Sequence, residues 1–211
     1  MTDPLKRALI DGPEDASCVL VLAHGAGQPP DAEFMAHVAS GIAAGGVRVV
    51  RPWFPYMARM AADGRRRPPD SEQKRLAALR EVIDAERRAG GLLVVGGKSM
   101  GGRMAAMLAD DVQAAGLLCL GYPFHPPGKP ERARLAALAA LRTPTLICQG
   151  ERDPFGNRDE VASYGLSPLA RLAWIPDGEH SFKPRKRSGR TWAQNLDTAV
   201  DAALHFLRGL G

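Results

Sequence analysis

Ser99 stands in the run Gly96-Gly97-Lys98-Ser99-Met100-Gly101-Gly102, directly after the apolar segment Leu92-Leu-Val-Val95. The stretch from Gly97 to Gly101 is a G-x-S-x-G pattern between a strand-like run and a helix-like one. A serine hydroxyl is a weak nucleophile at neutral pH and attacks a carbonyl only when a neighbouring base takes its proton. A sharp strand-to-helix turn would lift the hydroxyl clear of the backbone, with glycines on either side so that the two elements can approach closely. The helix that follows would aim its free N–H groups at negative charge developing on a substrate oxygen. By itself the pattern also fits a plain glycine-rich turn or a phosphate cradle, although neither the dinucleotide-binding nor the Walker spacing is present.

Two further residues raise its weight. Gly150-Glu151-Arg152-Asp153-Pro154 follows the apolar run ending at Cys148, and Pro176-Asp177-Gly178-Glu179-His180-Ser181 follows the run ending at Ile175. Asp153 lies 54 residues after Ser99 and His180 another 27 after Asp153, each about one strand–helix unit. Nucleophile, acid and histidine thus occur in the chain order required when a serine sits on such a turn. Taken singly, Asp153 also reads as a turn residue before Pro154, and His180 as a solvated loop histidine. Glu151 is the competing acid. His24 and His125 are rival bases at strand ends, but in the wrong order, while His37 and His205 fall on helical segments as packing or surface residues. The oxyanion donors are expected to be the N–H of Met100 and one from His24-Gly25-Ala26-Gly27, with Ala26 preferred and Gly25 the alternate. Aromatic and polar side chains at other strand ends supply candidate substrate contacts: His24, Tyr56, Tyr122, Phe124 and His125, with Phe54 and Met57 beside them.

The elements that must position these residues are legible in the hydropathy. Segments 18–23, 47–50, 92–95, 115–120, 145–148 and 171–175 are near-continuous apolar runs, as expected of strands covered on both faces, and 8–10 adds an edge strand. Helical patterns are predicted over 32–44, 71–89, 100–111, 130–141, 159–164 and 191–207, the last with Leu196, Val200, Leu204 and Leu207 on one face. This alternation predicts an α/β fold: one doubly wound, mostly parallel sheet of six to seven strands flanked by helices, forming a single domain over residues 1–211. In such a sheet ligands sit beyond the carboxyl ends of the strands. Residues 64–70 (GRRRPPD) read as a flexible surface loop, and no segment is long enough for a separate cap, so a shallow, open pocket is expected.

Composition excludes several other classes. A chain of 211 residues with 45% hydrophobic and 24% charged residues is ordinary for a globular protein and needs no staples to hold a core. Cys18, Cys119 and Cys148 lack metal-ligand spacing and lie in apolar runs, which predicts reduced, buried thiols and a cytoplasmic location. No leader or membrane-spanning run is visible. The net charge of +5 concentrates in 65–67 and in Lys183, Arg185, Lys186, Arg187 and Arg190. Neither run interleaves with stacking aromatics, so solvated loops are expected and no nucleic-acid partner. The second run lies just past His180, where a cationic rim would favour anionic acyl or leaving groups. No metal and no organic cofactor are expected. The expected partner is a small-molecule acyl substrate, without a membrane, for a monomer or small homo-oligomer.

These residues resemble the α/β-hydrolase superfamily, over nearly the whole chain from Leu22-Ala-His-Gly-Ala-Gly27 to the terminal helix. More narrowly, the chain is similar to a small, lid-less bacterial group related to dienelactone-hydrolase-like proteins. That group also resembles eukaryotic proteins that include a testis-expressed protein and a subunit of the non-specific-lethal chromatin complex. The narrower match rests on His24-Gly-Ala-Gly27, Phe54-Pro-Tyr-Met57, Gly97-Lys-Ser-Met-Gly-Gly-Arg-Met104, Gly121-Tyr-Pro-Phe-His-Pro-Pro-Gly-Lys-Pro130 and the stretch 150–156. The resemblance implies that nucleophile, acid and base fall on Ser99, Asp153 and His180. It implies a carboxylesterase-like serine hydrolase of esters, lactones or thioesters. Dienelactone hydrolases carry a cysteine nucleophile where this chain has Ser99, so their lactone specificity is not implied. A serine there also argues against haloalkane dehalogenase or epoxide hydrolase chemistry, which use an aspartate. The eukaryotic relatives add the alternative of a catalytically silent hydrolase-fold binding or scaffold protein, and a third reading is a ligand-sensing receptor that uses the same pocket.

Overall fold

The computed structural model describes residues 8–210. Seven strands form one sheet: β1 (Ala8–Asp11), β2 (Cys18–Ala23), β3 (Arg48–Pro52), β4 (Leu92–Lys98), β5 (Gly116–Leu120), β6 (Thr145–Gly150) and β7 (Ala170–Ile175), in the spatial order β1-β3-β2-β4-β5-β6-β7. Only β1 runs antiparallel, against β3. The other pairings are parallel, with Cys18 opposite Leu92, Val94 opposite Gly116, Leu117 opposite Thr145 and Thr145 opposite Ala170. The carboxyl ends of β4, β6 and β7, where the three chemistry-bearing loops begin, therefore share one edge of the sheet.

Side chains alternate across a strand, and here both faces are dry. Val19, Val21, Val95, Leu117, Cys119 and Ile147 face one layer of core, and Leu20, Leu22, Val94, Leu118, Leu120 and Cys148 face the other. The first layer is closed by α3 (Glu72–Ala85) and α4 (Met100–Leu108), the second by α1 (Glu33–Ala44) and α7 (Trp192–Arg208). Helix α7 begins in a capping box between Thr191 and Gln194 and buries Leu196, Ala199, Val200, Ala203 and Leu207. Cys119 and Cys148 are buried free thiols, and Cys18 is only half-buried. No helix among the described residues is long and apolar enough to cross a membrane.

The structure departs from the sequence-based expectation most in three helical segments, and α4 also ends at Leu108, three residues before its predicted limit. Helix α2 (Pro55–Asp63) forms where no helical pattern is predicted, just before the loop expected over 64–70. Pro55 opens it with its φ already set for a helix, and Gly64, at φ 70°, closes it with an N–H bonded to Met60 O. The helix expected over 130–141 is reduced to a 3₁₀ turn at Pro130–Arg132 and the single turn α5 (Ala136–Ala139). There the Arg134 N–H bonds Phe124 O at 2.6 Å instead of a helical carbonyl. Helix α3 stops at Ala85, four residues early, where the Glu86 side chain turns inward beneath β3. The short α6 (Arg158–Val161) lies where a helix was expected and is fixed by a capping box between Asn157 and Glu160.

Glu86 is 2% exposed and its carboxylate takes two bonds from Arg48, Nε at 3.0 Å and Nη2 at 3.1 Å. Removing one partner of such a pair strands a buried charge, whereas removing both does not. Arg48→Met is expected to destabilise the protein by about 3 kcal/mol, the lower end of the range for a broken buried pair, because Arg88 at 3.9 Å takes over part of the charge. Urea unfolding checks this, and the double variant Arg48→Met/Glu86→Leu should regain most of the loss.

Candidate active site

Strand β4 ends at Lys98, and the chain reverses at Ser99 with φ 52° and ψ −114° before α4 begins at Met100. A left-handed φ is strained for a residue with a side chain and persists only where its surroundings impose it. Here Ser99 N–H bonds Leu120 O at 3.0 Å, and Ser99 O accepts the Arg103 N–H at 3.0 Å. The flanking glycines are sterically required. A Cβ on Gly97 would stand 2.5 Å from Ala23 O and from the Gly101 carbonyl carbon.

His180 Nε2 lies 2.8 Å from Ser99 Oγ, and His180 Nδ1 lies 2.8 Å from Asp153 Oδ2. A carboxylate on Nδ1 holds the proton there and leaves the Nε2 lone pair facing the serine hydroxyl. Burial lowers the His180 pKa, the hydrogen bond to Asp153 raises it, and the nearby Lys98 lowers it further. The net direction is downward, so the imidazole is neutral at pH 7 and can accept a proton. The Phe155 ring covers the imidazole, with centroids 4.2 Å apart.

Asp153 is fully buried. Its Oδ1 accepts the Phe155 N–H at 2.8 Å, and its Oδ2 accepts Gln149 Nε2 at 3.0 Å. Gln149 is pinned in turn: its Oε1 accepts the Tyr122 N–H at 2.8 Å, and its Nε2 also donates to Gly156 O and Tyr122 O. The histidine loop is tied to α7, where buried Asn195 donates to Pro176 O and Phe182 O, and Trp192 Nε1 donates to Ser181 O. Sequence reasoning missed Gln149 and Asn195. Their signal was a polar residue at an apolar position, Gln149 near the end of β6 and Asn195 on the buried face of α7.

The N–H of Met100 opens α4 and so belongs to the donors that a helix start leaves free. Among the described residues no backbone hydrogen bond engages the N–H of Gly25 or Ala26. Ala26 is exposed and Gly25 buried. The substrate contacts expected from the sequence are corrected by burial. His24 is fully buried, accepts the Phe54 N–H on Nε2 at 3.1 Å and places Nδ1 2.7 Å from Gly25 O. Burial pushes its pKa down to about 4, so it is a neutral brace between two loops. Tyr56 is likewise buried and donates to Ala26 O at 3.0 Å, which steadies the loop before α1. Tyr122, Phe124 and His125 are each 1% exposed or less. Tyr122 and Phe124 stack edge-on in the core, and His125 is held between Pro126 O and Glu160. Of the two flanking residues, Phe54 is also buried, as is Met57.

Glu151, the competing acid, points elsewhere: its carboxylate takes Arg158 Nη1 at 2.8 Å and the Asp177 N–H at 2.9 Å. Part of the cationic run past His180 is folded back on itself. Arg185 pairs with Asp177, Arg190 bonds Asn195 and Thr198, and the Lys183 ammonium sits over the Trp192 ring. A concavity of about 770 Å³ lies at the opposite end of the strands, lined by Pro144, Leu169, Arg171 and Phe206. It contains none of the residues around Ser99. The hydrogen-bonded side chains around Ser99 lie instead at the carboxyl ends of the strands, where ligands of such sheets sit.

Comparison with known proteins agrees with this architecture. The model of the alpha/beta hydrolase domain family matches residues 16–208. A lid-less α/β serine hydrolase from Xanthomonas campestris superposes with a TM-score of 0.68 at 19% identity, over 93% of this chain and 88% of that one. A dienelactone hydrolase from Anabaena variabilis gives 0.74 at 20% identity, over 96% and 90%. The esterase domain of a Rhodothermus marinus protein gives 0.70 at 12% identity, over 97% and 93%. At these identities the structural likeness speaks for the fold, including the lack of a large cap, and the family assignment rests on the matched model. With a seven-stranded, mostly parallel sheet, a strained serine turn after its β4 strand and a family match across nearly its full length, this chain belongs to the α/β-hydrolase family.

Proposed function

We propose that the protein is a serine hydrolase of small carboxylic esters, lactones or thioesters. The observation that carries this is the unbroken chain Ser99 Oγ–His180 Nε2, His180 Nδ1–Asp153 Oδ2, both links at 2.8 Å, on a strained serine turn. In this reading His180 takes the Ser99 proton as Oγ attacks the substrate carbonyl. Asp153 keeps the imidazole in the required tautomer and stabilises the imidazolium that forms. The N–H groups of Met100 and Ala26 bind the oxyanion, a single donor of this kind contributing on the order of 3 kcal/mol to transition-state stabilisation. His180 then protonates the leaving group and activates water to release the acyl group from Ser99. The absence of a large cap supports small, freely entering substrates. The likeness to a dienelactone hydrolase and to an esterase domain supports the same bond type.

A fluorophosphonate probe tests this directly. The folded protein should label on the peptide carrying Ser99 and turn over p-nitrophenyl acetate, while heat-denatured protein and Ser99→Ala should do neither. A well-folded chain that never labels would instead make this a binding or scaffold protein on a hydrolase fold.

A further inference from the structure

Lys98 immediately precedes Ser99, yet its side chain takes no part in the hydrogen-bonded chain Ser99–His180–Asp153. It is 5% exposed and shares the sheet face of Val94, toward α1 and α7, where its ammonium lies 5.4 Å from the centre of the Phe34 ring. Among the described residues, no carboxylate lies within ion-pair distance of it. A buried ammonium without such a partner is costly, and a methionine would fill the same space at no electrostatic penalty.

The group it does approach is His180. A Cβ added to Gly121 would stand 3.1 Å from Lys98 Nζ, 2.9 Å from His180 O and 3.4 Å from His180 Nδ1. The ammonium and the imidazole thus border the same glycine. Gly121 holds φ 62°, so the close approach and the backbone turn both exclude a side chain there. In a buried site two positive charges this close oppose one another far more than in water.

We propose that Lys98 is a positioning residue that acts through His180: its buried ammonium opposes protonation of the imidazole and keeps the base neutral into weakly acid solution. Burial pushes the lysine down to about 8, so it still carries its charge over the range in which His180 titrates. The other charged groups that face the imidazole are Asp153, from the loop after β6, and Glu179, from its own loop. Both carboxylates act in the opposite sense to Lys98. Glu179 is committed to the N–H groups of Ser181 and Lys183, and Asp153 to the contacts described above. Helices α1 and α7 bring aromatic side chains here, Phe34 and Trp192, and no further charge that acts on His180.

The consequence for rate rests on the hydrolase reading, but the titration itself does not. Lys98→Met and Lys98→Gln remove the charge, and Lys98→Arg retains it. NMR titration of the His180 ring in the intact protein should show its pKa about one unit higher in the Met and Gln variants, and near the wild-type value in the Arg variant. The acid limb of kcat/KM for p-nitrophenyl acetate should move to higher pH by the same amount. Thermal unfolding shows which variants are folded, and either neutral variant suffices. An unchanged His180 titration in a folded neutral variant would overturn the proposal. So would an equal shift in Lys98→Arg, or a loss of stability without a shift. A protein with no ester turnover whose His180 still shifts would sink the hydrolase reading and leave the electrostatic one standing.

Discussion

Asp153→Asn is expected to lower kcat for an activated ester by about 10⁴-fold while leaving KM within a few-fold of wild type. The geometry shows why a nearly isosteric change should matter so much. Asp153 faces donors on every side: Gln149 Nε2 and His180 Nδ1 on Oδ2, and the Phe155 N–H on Oδ1. If the new amide nitrogen takes the Oδ2 position, it confronts the Gln149 amide nitrogen and offers His180 a donor. The imidazole must then carry its proton on Nε2, pointing at Ser99, and cannot act as a base. If the amide nitrogen takes the Oδ1 position, it confronts the Phe155 N–H, and the charge that stabilises the imidazolium is lost in any case. Gln149 cannot adapt by turning its amide over, because three backbone contacts fix it: the Tyr122 N–H, Tyr122 O and Gly156 O. Imidazole ¹⁵N shifts would report which tautomer prevails, and the kcat loss should accompany the Nε2–H form. Glu151→Gln is the comparison. That carboxylate serves Arg158 and the Asp177 N–H, so turnover should stay within a few-fold of wild type. A tenfold or smaller loss in Asp153→Asn would remove Asp153 from the proposed mechanism.

Ser99, Asp153 and His180 were legible because their requirement is coarse: a residue type, a chain order and a place just past a strand end. The strands themselves were legible because a sheet covered on both faces leaves near-continuous apolar runs: β2 to β7 lie where such runs stand in the sequence, and β1 lies at the edge strand expected over 8–10. Side-chain direction at a strand end was not legible. Tyr122 and Phe124 follow β5 as Tyr56 follows β3, yet all three turn into the core, since a large ring there gains more by burial than by lining an open rim. His24 reads in sequence as a polar group at a strand end, and only the position of the Phe54 N–H reveals it as a brace. Helix α2 was obscured because only Tyr56 and Met57 are buried along it, too few to show a period, although Pro55 and Gly64 mark its limits. The opposite error over 130–141 has a tertiary cause: the alanine- and leucine-rich stretch has helical character, and the Arg134–Phe124 backbone bond outcompetes it. Gln149 and Lys98 act through groups on other strands and loops, so their local sequence carries only the oddity of a polar residue in an apolar strand.

Gly101→Ala should be among the most damaging single-methyl additions to the fold, and its effect should reach the oxyanion donors. A Cβ on Gly101 would meet the backbone of β2 and the loop beyond it: Ala23 O, the Ala23 carbonyl carbon at 2.6 Å and His24 O at 2.7 Å. These are main-chain atoms in the strand next to β4, paired through Ala23 opposite Gly97, so no flexible side chain can give way. Either α4 lifts from the sheet or the segment 23–26 is pushed outward. Both movements widen the gap between the Met100 and Ala26 N–H groups, which in the proposed mechanism converge on one oxygen. Overpacking that forces backbone shifts costs about 3 kcal/mol, the upper part of the usual range, which corresponds to a fall in Tm of roughly 6–12 °C for a chain of this size. A displacement on the order of 1 Å at the donors should lower kcat about 100-fold. Gly27→Ala adds the same methyl to the neighbouring loop, where a Cβ meets nothing within 4 Å, and its stability should stay within about 0.5 kcal/mol of wild type. Thermal unfolding of the two variants side by side separates the steric argument from a general intolerance of alanine. Equal Tm values would mean that the close approach of α4 to β2 does not constrain the serine turn.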